Sequence, residues 1–314
     1  MSFRMLLLSP DADPSWPEKI SQAVPGAVAK IYADPKDALG DIESADAAYG
    51  AVPPELFARA KTLRWICANR AGLGQAYFYD ALVNSDVVIT GMHGSYNEHL
   101  STHAMAFLLA FARRFDHYLA QKRWRRGPGM IDLPSKTVLI VGVGGSGSEA
   151  GKQCAAFGMR VLGIDPRVKQ PPAGMAELST PDRLEERLAE ADFVIVTTPE
   201  TPDTLGMFNT RLFSRMKRGA YFINIARGRC VVTQDLIAAL QSGQLAGAGL
   251  DVVDPEPLPD DSPLWGMPNV LMTPHVAILG TPYRQKWEAI LLENCRRFAA
   301  GEPLLNVVDK QKWF

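Results

Sequence analysis

Strand-like apolar runs alternate with helix-like stretches along almost the whole chain, and the alternation breaks once and restarts. "RMLLLS", "DAAYGAV", "LRWICAN" and "DVVIT" fall in the first hundred residues, with helical stretches such as 54–60 between them. A long apolar helix over 97–114 interrupts the series. "KTVLIVGVG", "RVLGID", "DFVIVTT", "AYFINIA", "LAGAGLDVV" and "VLMTPH" follow, again with helices between most of them. Repeated β–α alternation with short connections predicts parallel, doubly wound sheets, and two series predict two such sheets. A last helical stretch, 282–300, is long enough to return to the first domain. The expected division is 1–100 plus 285–314 for one domain and 101–284 for the other. A chain of 314 residues gives each a sizeable core.

Charge excludes some partners. With 33 basic and 34 acidic residues the net charge is −1, so no bulk attraction draws the chain to nucleic acid or an anionic membrane. The longest apolar run, 104–112, is too short to cross a bilayer. "MSFRMLLLSP" reads as a first strand rather than a secretory signal. Cys67, Cys154, Cys230 and Cys295 are scattered, with no CxxC pair and no metal spacing. That usage predicts a reduced, cytoplasmic protein with no metal site and no cysteine nucleophile.

"VLIVGVGGSGSEAG" places Gly142, Gly144 and Gly147 directly after an apolar strand and at the start of a helix. In this G-x-G-x-x-G pattern the first glycine permits the tight turn, the second lets backbone approach a pyrophosphate, and the third allows close helix–strand packing. The amides at the helix start, around Gly145 and Ser146, then form an anion site. Asp165 ends the next strand, about 20 residues on, where a carboxylate accepts from ribose hydroxyls. Asp165 favours NAD, because it would repel the extra phosphate of NADP. Arg167, two residues later, leaves NADP open.

Three further groups follow apolar strands. Arg227 ends "YFINIAR", Asp251 ends "GAGLD" and His275 ends "MTPH", with Glu256 in the loop "DVVDPEPLP". Ligands in open α/β sheets sit beyond the carboxyl ends of strands, so these side chains are candidates for one crevice. A charge inside a buried strand would be costly, whereas Arg227 at a strand end can meet a ligand or cap a nearby helix.

At these residues the chain resembles the D-isomer-specific 2-hydroxyacid dehydrogenases. The resemblance rests on the glycine loop, "TPETPDTLG" from Thr198, "INIARGR", "GAGLDVVDPEPLP" and "PNVLMTPH", and it is strongest from about Leu133 to His275. It implies a flavodoxin-like substrate domain beside a Rossmann dinucleotide-binding domain. It implies Arg227 on the substrate carboxylate, His275 as proton donor and acceptor, and Glu256 paired with that histidine. Asp251 would hold the nicotinamide carboxamide, with Thr198, Pro199 and Ala226 also on the cofactor. The chemistry suits these types. Negative charge develops on the carbonyl oxygen of a 2-oxo acid as it is reduced, and a histidine can discharge it by giving up a proton. The planar fork of an arginine holds two carboxylate oxygens at once.

The same resemblance predicts that the amides of Ala71 and Gly72, after the strand "LRWI", also bind the substrate carboxylate. Arg70, just before them, would clamp a second acidic group on the substrate, or instead pair with a surface acid such as Asp80. The family usually has Glu-His where this chain has Thr102-His103, and His93, His99 and His103 read as packed or surface residues without a chemical role. "VAILGTP" after His275 is bulkier than the family's turn. No regulatory domain follows Phe314, so a short form is expected, glyoxylate/hydroxypyruvate reductase-like. A homodimer through the helix 97–114 is expected, the alternative being a helix wedged between two domains of a monomer. The competing function is a dinucleotide-sensing binding protein of the co-repressor type on the same fold.

Overall fold

The computed structural model describes residues 2–279 and 283–314. Its strands are β1 (Arg4–Leu7), β2 (Val28–Ile31), β3 (Ala47–Tyr49), β4 (Trp65–Cys67), β5 (Val88–Thr90), β6 (Thr137–Val141), β7 (Arg160–Ile164), β8 (Glu177–Ser179), β9 (Phe193–Val196), β10 (Ala220–Asn224), β11 (Leu245–Leu250) and β12 (Val270–Met272). Its α-helices are α1 (Trp16–Ala23), α2 (Pro54–Phe57), α3 (Asp80–Val83), α4 (Asn97–Ala112), α5 (Phe115–Gln121), α6 (Gly145–Ala156), α7 (Leu184–Glu190), α8 (Thr210–Arg215), α9 (Thr233–Gln241) and α10 (Tyr283–Ala300). The chain divides into two compact units, Met1–Ser95 with Thr281–Phe314, and Tyr96–Gly280.

The first unit holds a five-stranded parallel sheet in the order β2-β1-β3-β4-β5, the flavodoxin-like winding. The second holds seven parallel strands in the order β12-β11-β10-β9-β6-β7-β8, the Rossmann order extended by one strand. Central strands such as β6, β9 and β10 are apolar on both faces because helices cover both. Strands β2 and β8 are not legible in the sequence. Each is an edge strand, short and only partly covered, so its residues "VAKI" and "ELS" carry little apolar pattern.

Helix α4 shows where its unusual apolar content goes. Ala104, Met105, Phe107, Leu108, Phe111 and Ala112 are buried within the second unit. Gly249 of β11 lets the helix lie close: a Cβ there would sit 2.7 Å from the Cβ of Phe107. Much of the run is thus covered inside its own unit, by α6 as well as by β10 and β11, while Ala106, Leu109 and Ala110 stay partly or fully exposed. Exposed apolar side chains also follow it, at Phe115, Leu119, Trp124 and Met130.

Candidate active site

Backbone register aligns Ile164, Val141, Val196, Asn224, Leu250 and Met272 across six neighbouring strands of the second sheet. The residues that follow them are Asp165, Gly142, Thr197, Ile225, Asp251 and Thr273, so these line one carboxyl edge. The chain order reverses between β6 and β9, the switch point at which such sheets take ligands.

At that point the glycine loop has the shape a dinucleotide phosphate needs. Gly142 has φ +95°, in the left-handed region that glycine alone adopts freely. A Cβ on Gly147 would lie 2.0 Å from the carbonyl oxygen of Gly142, whereas one on Gly144 would meet nothing within 4 Å. The helix is thus pressed onto the turn at one glycine and open at the other. The Ser148 amide donates to Gly144 O at 2.8 Å, so the amides of Gly145, Ser146 and Gly147 precede that bond and sit at the positive end of α6. Ser146 Oγ reaches Asn97 Oδ1 at 3.3 Å, and the Thr197 hydroxyl donates to Gly142 O.

Asp165 is buried, and its carboxylate braces the loop. It accepts from the amides of Val143 (2.9 Å), Arg167 (2.8 Å) and Val168 (3.1 Å). The exposed guanidinium of Arg167 lies 3.9 Å from it. Next along the edge, Thr204 Oγ1 donates to Pro199 O at 2.8 Å, and Thr198 Oγ1 lies 3.8 Å from Cys230 Sγ. An ion pair between Glu200 and Arg229, 3.0 Å long, ties this loop to the one after β10.

Arg227 lies three residues beyond β10 and is half-buried. Its Nη1 donates to Ala226 O at 2.7 Å. Buried Asn224 holds the turn from beneath, accepting from the Ala226 amide and donating to Arg227 O, both at 3.0 Å. Asn224 was missed from sequence, although an amide in an otherwise apolar strand is itself a signal.

A hydrogen-bond network built on Asp251 surrounds His275. Its Nδ1 lies 2.9 Å from Glu256 Oε2, while Glu256 Oε1 accepts from the Val253 amide at 3.2 Å. The ring is about half exposed, at 49%. His275 has φ +53°, a left-handed backbone that costs a non-glycine residue about 1–3 kcal/mol and persists only where its surroundings impose it. Asp251 imposes it. Its main-chain oxygen accepts the His275 amide at 2.7 Å, and its buried carboxylate accepts the amides of Val276 (2.9 Å) and Ala277 (3.2 Å). Thr273 Oγ1 donates to the same carboxylate at 2.7 Å, and His103 Nε2 lies 2.8 Å from that hydroxyl. His103, expected to carry no role, and Thr273, not singled out at all, therefore belong to this cluster. The segment "VAILGTP" after His275 runs into residues 280–282, which lie outside the described ones.

In the first unit, Arg70, Ala71 and Gly72 follow β4, with Arg70 exposed and its two neighbours half-buried. Arg70 O accepts the Met92 amide at 3.1 Å. No ion pair joins Arg70 to Asp80, contrary to the surface pairing the sequence left open. All four cysteines are free and buried. Burial pushes the thiols of Cys67 and Cys154 up to about 12 and raises those of Cys230 and Cys295 as well. Among the described residues no group of three His, Cys, Asp or Glu side chains could hold a metal, and no helix is long and apolar enough to cross a membrane.

Residues 104–277 match the family model described as "D-isomer specific 2-hydroxyacid dehydrogenase, NAD binding domain". The NADPH-dependent glyoxylate/hydroxypyruvate reductase of Sinorhizobium meliloti, solved with NADP and sulfate, superposes with a TM-score of 0.86 at 31% identity, covering 99% of this chain and 100% of that one. A D-isomer specific 2-hydroxyacid dehydrogenase of Xanthobacter autotrophicus Py2, solved with NADPH and MES, gives 0.84 and 31% over 100% of both chains. D-3-phosphoglycerate dehydrogenase of Archaeoglobus fulgidus is 33% identical over 82% of this chain and 49% of its own length, so this chain matches about half of that protein. The chain belongs to the D-isomer specific 2-hydroxyacid dehydrogenases, NAD(P)-dependent oxidoreductases of small 2-hydroxy and 2-oxo acids.

Proposed function

We propose that the protein reduces a small 2-oxo acid to its D-2-hydroxy acid, with His275 as the proton donor, Glu256 as its partner and Arg227 on the substrate carboxylate. The observation that carries this reading is the 2.9 Å contact between His275 Nδ1 and Glu256 Oε2 at the carboxyl edge of a dinucleotide-binding sheet. A carboxylate only accepts, so Nδ1 donates to it and Nε2 is the ring atom that serves the substrate. Protonated, the ring gives its Nε2 proton to the carbonyl oxygen as negative charge develops there. In the reverse direction the neutral ring takes the proton back. Arg227, held from below by Asn224, fixes the carboxylate and with it the carbonyl. When bound, the reduced nicotinamide supplies the hydride.

The dinucleotide is assigned to Gly142, Gly144, Gly145, Ser146, Gly147, Asp165, Thr198, Pro199, Ala226 and Asp251. NAD(H) is the expected preference because Asp165 stands at the ribose end of the loop, and Arg167 beside it admits NADP(H). The first unit is assigned to substrate recognition through Arg70, Ala71 and Gly72. The phosphorylated acid named for the Archaeoglobus relative suits an arginine there. Exposed Phe115, Leu119, Trp124 and Met130 support a homodimer, and four free cysteines support a reducing compartment such as the cytoplasm. The relatives reported above are dehydrogenases and reductases, which favours an enzyme over a dinucleotide-sensing co-repressor.

A panel of 2-oxo acids, each assayed by the loss of NADH or NADPH absorbance, tests the reading. Turnover of glyoxylate, hydroxypyruvate or a larger 2-oxo acid is expected, and no turnover of any member with either cofactor would sink it.

A further inference from the structure

We infer that His103 is a positioning residue for His275, acting through Thr273 and Asp251; this rests on reading His275 as the proton donor. The direction of each bond follows from chemistry. The Asp251 carboxylate accepts two backbone amides, from Val276 and Ala277, and can take the Thr273 hydroxyl proton only as an acceptor. That hydroxyl has a single proton, already directed at Asp251. The 2.8 Å contact between His103 Nε2 and Thr273 Oγ1 must therefore be donated by the histidine. His103 Nε2 also lies 3.4 Å from Asp251 Oδ1, but its hydrogen bond is to Thr273 Oγ1.

The chain of donors thus runs from α4 into the one carboxylate that moors both residues after His275. The His275 amide is bound to the main-chain oxygen of the same aspartate, so the left-handed backbone at His275 is clamped on both sides by residue 251. The His103 ring is in turn fixed edge-on against Phe107, with centroids 4.9 Å apart and planes at 87°. A buried carboxylate with several donors holds its orientation only while each remains, and losing one frees the others to rearrange. Sequence places His103 and Thr273 170 residues apart, and only folding gives the histidine this task.

Three variants test it. His103→Phe keeps a ring against Phe107 and deletes the donor, His103→Gln returns an N–H near the place of Nε2, and Thr273→Val removes the middle link. Amide hydrogen exchange at Val276 and Ala277 is read by NMR without nucleotide, with Leu139 and Val194 in the core strands as controls for global opening. Loss of one such hydrogen bond corresponds to exchange faster by about tenfold at 276 and 277 in His103→Phe and Thr273→Val, with the controls unchanged. With the best substrate of the panel, kcat should fall by about tenfold while NADH Kd stays within about twofold, and His103→Gln should restore both measurements. Unchanged exchange at 276 and 277 in both deletion variants overturns the inference, as does a Gln variant that restores neither. A rise in NADH Kd large enough to explain the loss also overturns it, because His103 would then serve the cofactor. If His275→Gln keeps wild-type turnover, the proton-donor reading fails separately, and the exchange measurement, made without substrate, still decides whether His103 moors the segment.

Discussion

The two sheets end in aligned rows, and the rows are built from different chemistry. In the second unit the residues just past the register row include Asp165, Thr197, Asp251 and Thr273, and every one of these side chains makes at least one hydrogen bond within the unit. In the first unit Leu7, Ile31, Tyr49, Cys67 and Thr90 are aligned, and the residues just past them are Leu8, Tyr32, Gly50, Ala68 and Gly91. Apart from Tyr32 on the outermost strand, whose hydroxyl donates to Asp41, that edge is apolar or glycine, and its other polar groups come one or more residues later, on loops: Ser9, Asn69, Arg70. Side chains fixed at strand ends hold their positions because the sheet holds them, whereas loop side chains adapt. Arg227, Glu256 and His275 also stand on loops, so what the second edge adds is the braced row beneath them, and the proposed function gives reaction chemistry to that braced edge and selectivity to the first.

The assignment breaks most easily at His275. Replacing it with Gln should lower kcat by about 10²- to 10⁴-fold with cofactor Kd nearly unchanged, because its proton transfer is lost while the glycine loop is untouched. Near-normal turnover in that variant would move the chemistry elsewhere. Arg227→Lys comes next. A lysine retains the charge without the fork, so KM for the 2-oxo acid should rise by about 10- to 100-fold and kcat should fall less. If kcat collapses while KM holds, Arg227 acts on the reacting carbonyl rather than on the carboxylate.

The same contrast explains what could be read without coordinates. Strand–helix alternation and the glycine loop are local patterns, and each led to the element seen in the fold; of the arginine, glutamate and histidine after strands, the fold pairs the glutamate with the histidine. The His275–Glu256 contact spans only 19 residues. Edge strands β2 and β8 were missed because exposure removes the apolar pattern that marks a strand. Asn224 stands out as an amide in an apolar strand, but nothing local says which turn it holds, and His103 is hidden by distance, since its partner comes from an element far along the chain. The apolar surplus of α4 was visible, but its destination was not. Gly247 and Gly249 bring the helix close to β11, and a glycine pair in a strand does not announce what will lie on it.

A finer test concerns the loop that Asp165 braces. Asp165→Asn keeps the size and an acceptor oxygen for the amides of Arg167 and Val168, gives up the bond from Val143 on the other oxygen, and removes the charge that opposes a 2′-phosphate. Wild type should prefer NADH, and in the variant the NADH-to-NADPH ratio of kcat/KM should narrow by about tenfold, roughly 1.4 kcal/mol. A wild-type preference for NADPH would show instead that Arg167, not Asp165, decides the cofactor, and the bracing bonds would then be the main task of the carboxylate.

The smallest expected effect sharpens the comparison from the other side, at Arg70 on the loop after β4. Its guanidinium is exposed, makes no ion pair with Asp80, and stands directly before the two residues assigned to the substrate carboxylate. If the first edge sets selectivity, Arg70 should favour substrates that carry a second anionic group. A charge-assisted bond in a solvated position is worth about 1 kcal/mol, so a 2-oxo diacid should exceed the matched monoacid by about fivefold in kcat/KM. Arg70→Ala should erase that ratio and leave the monoacid rate unchanged. Raising the salt concentration should erode the diacid advantage in wild type alone, because an exposed charge is screened and the variant has none to screen. Equal losses on both substrates would make Arg70 part of the common carboxylate site. No change on either would leave selectivity to groups other than this arginine, and the division of labour between the two edges would lose its support from the first.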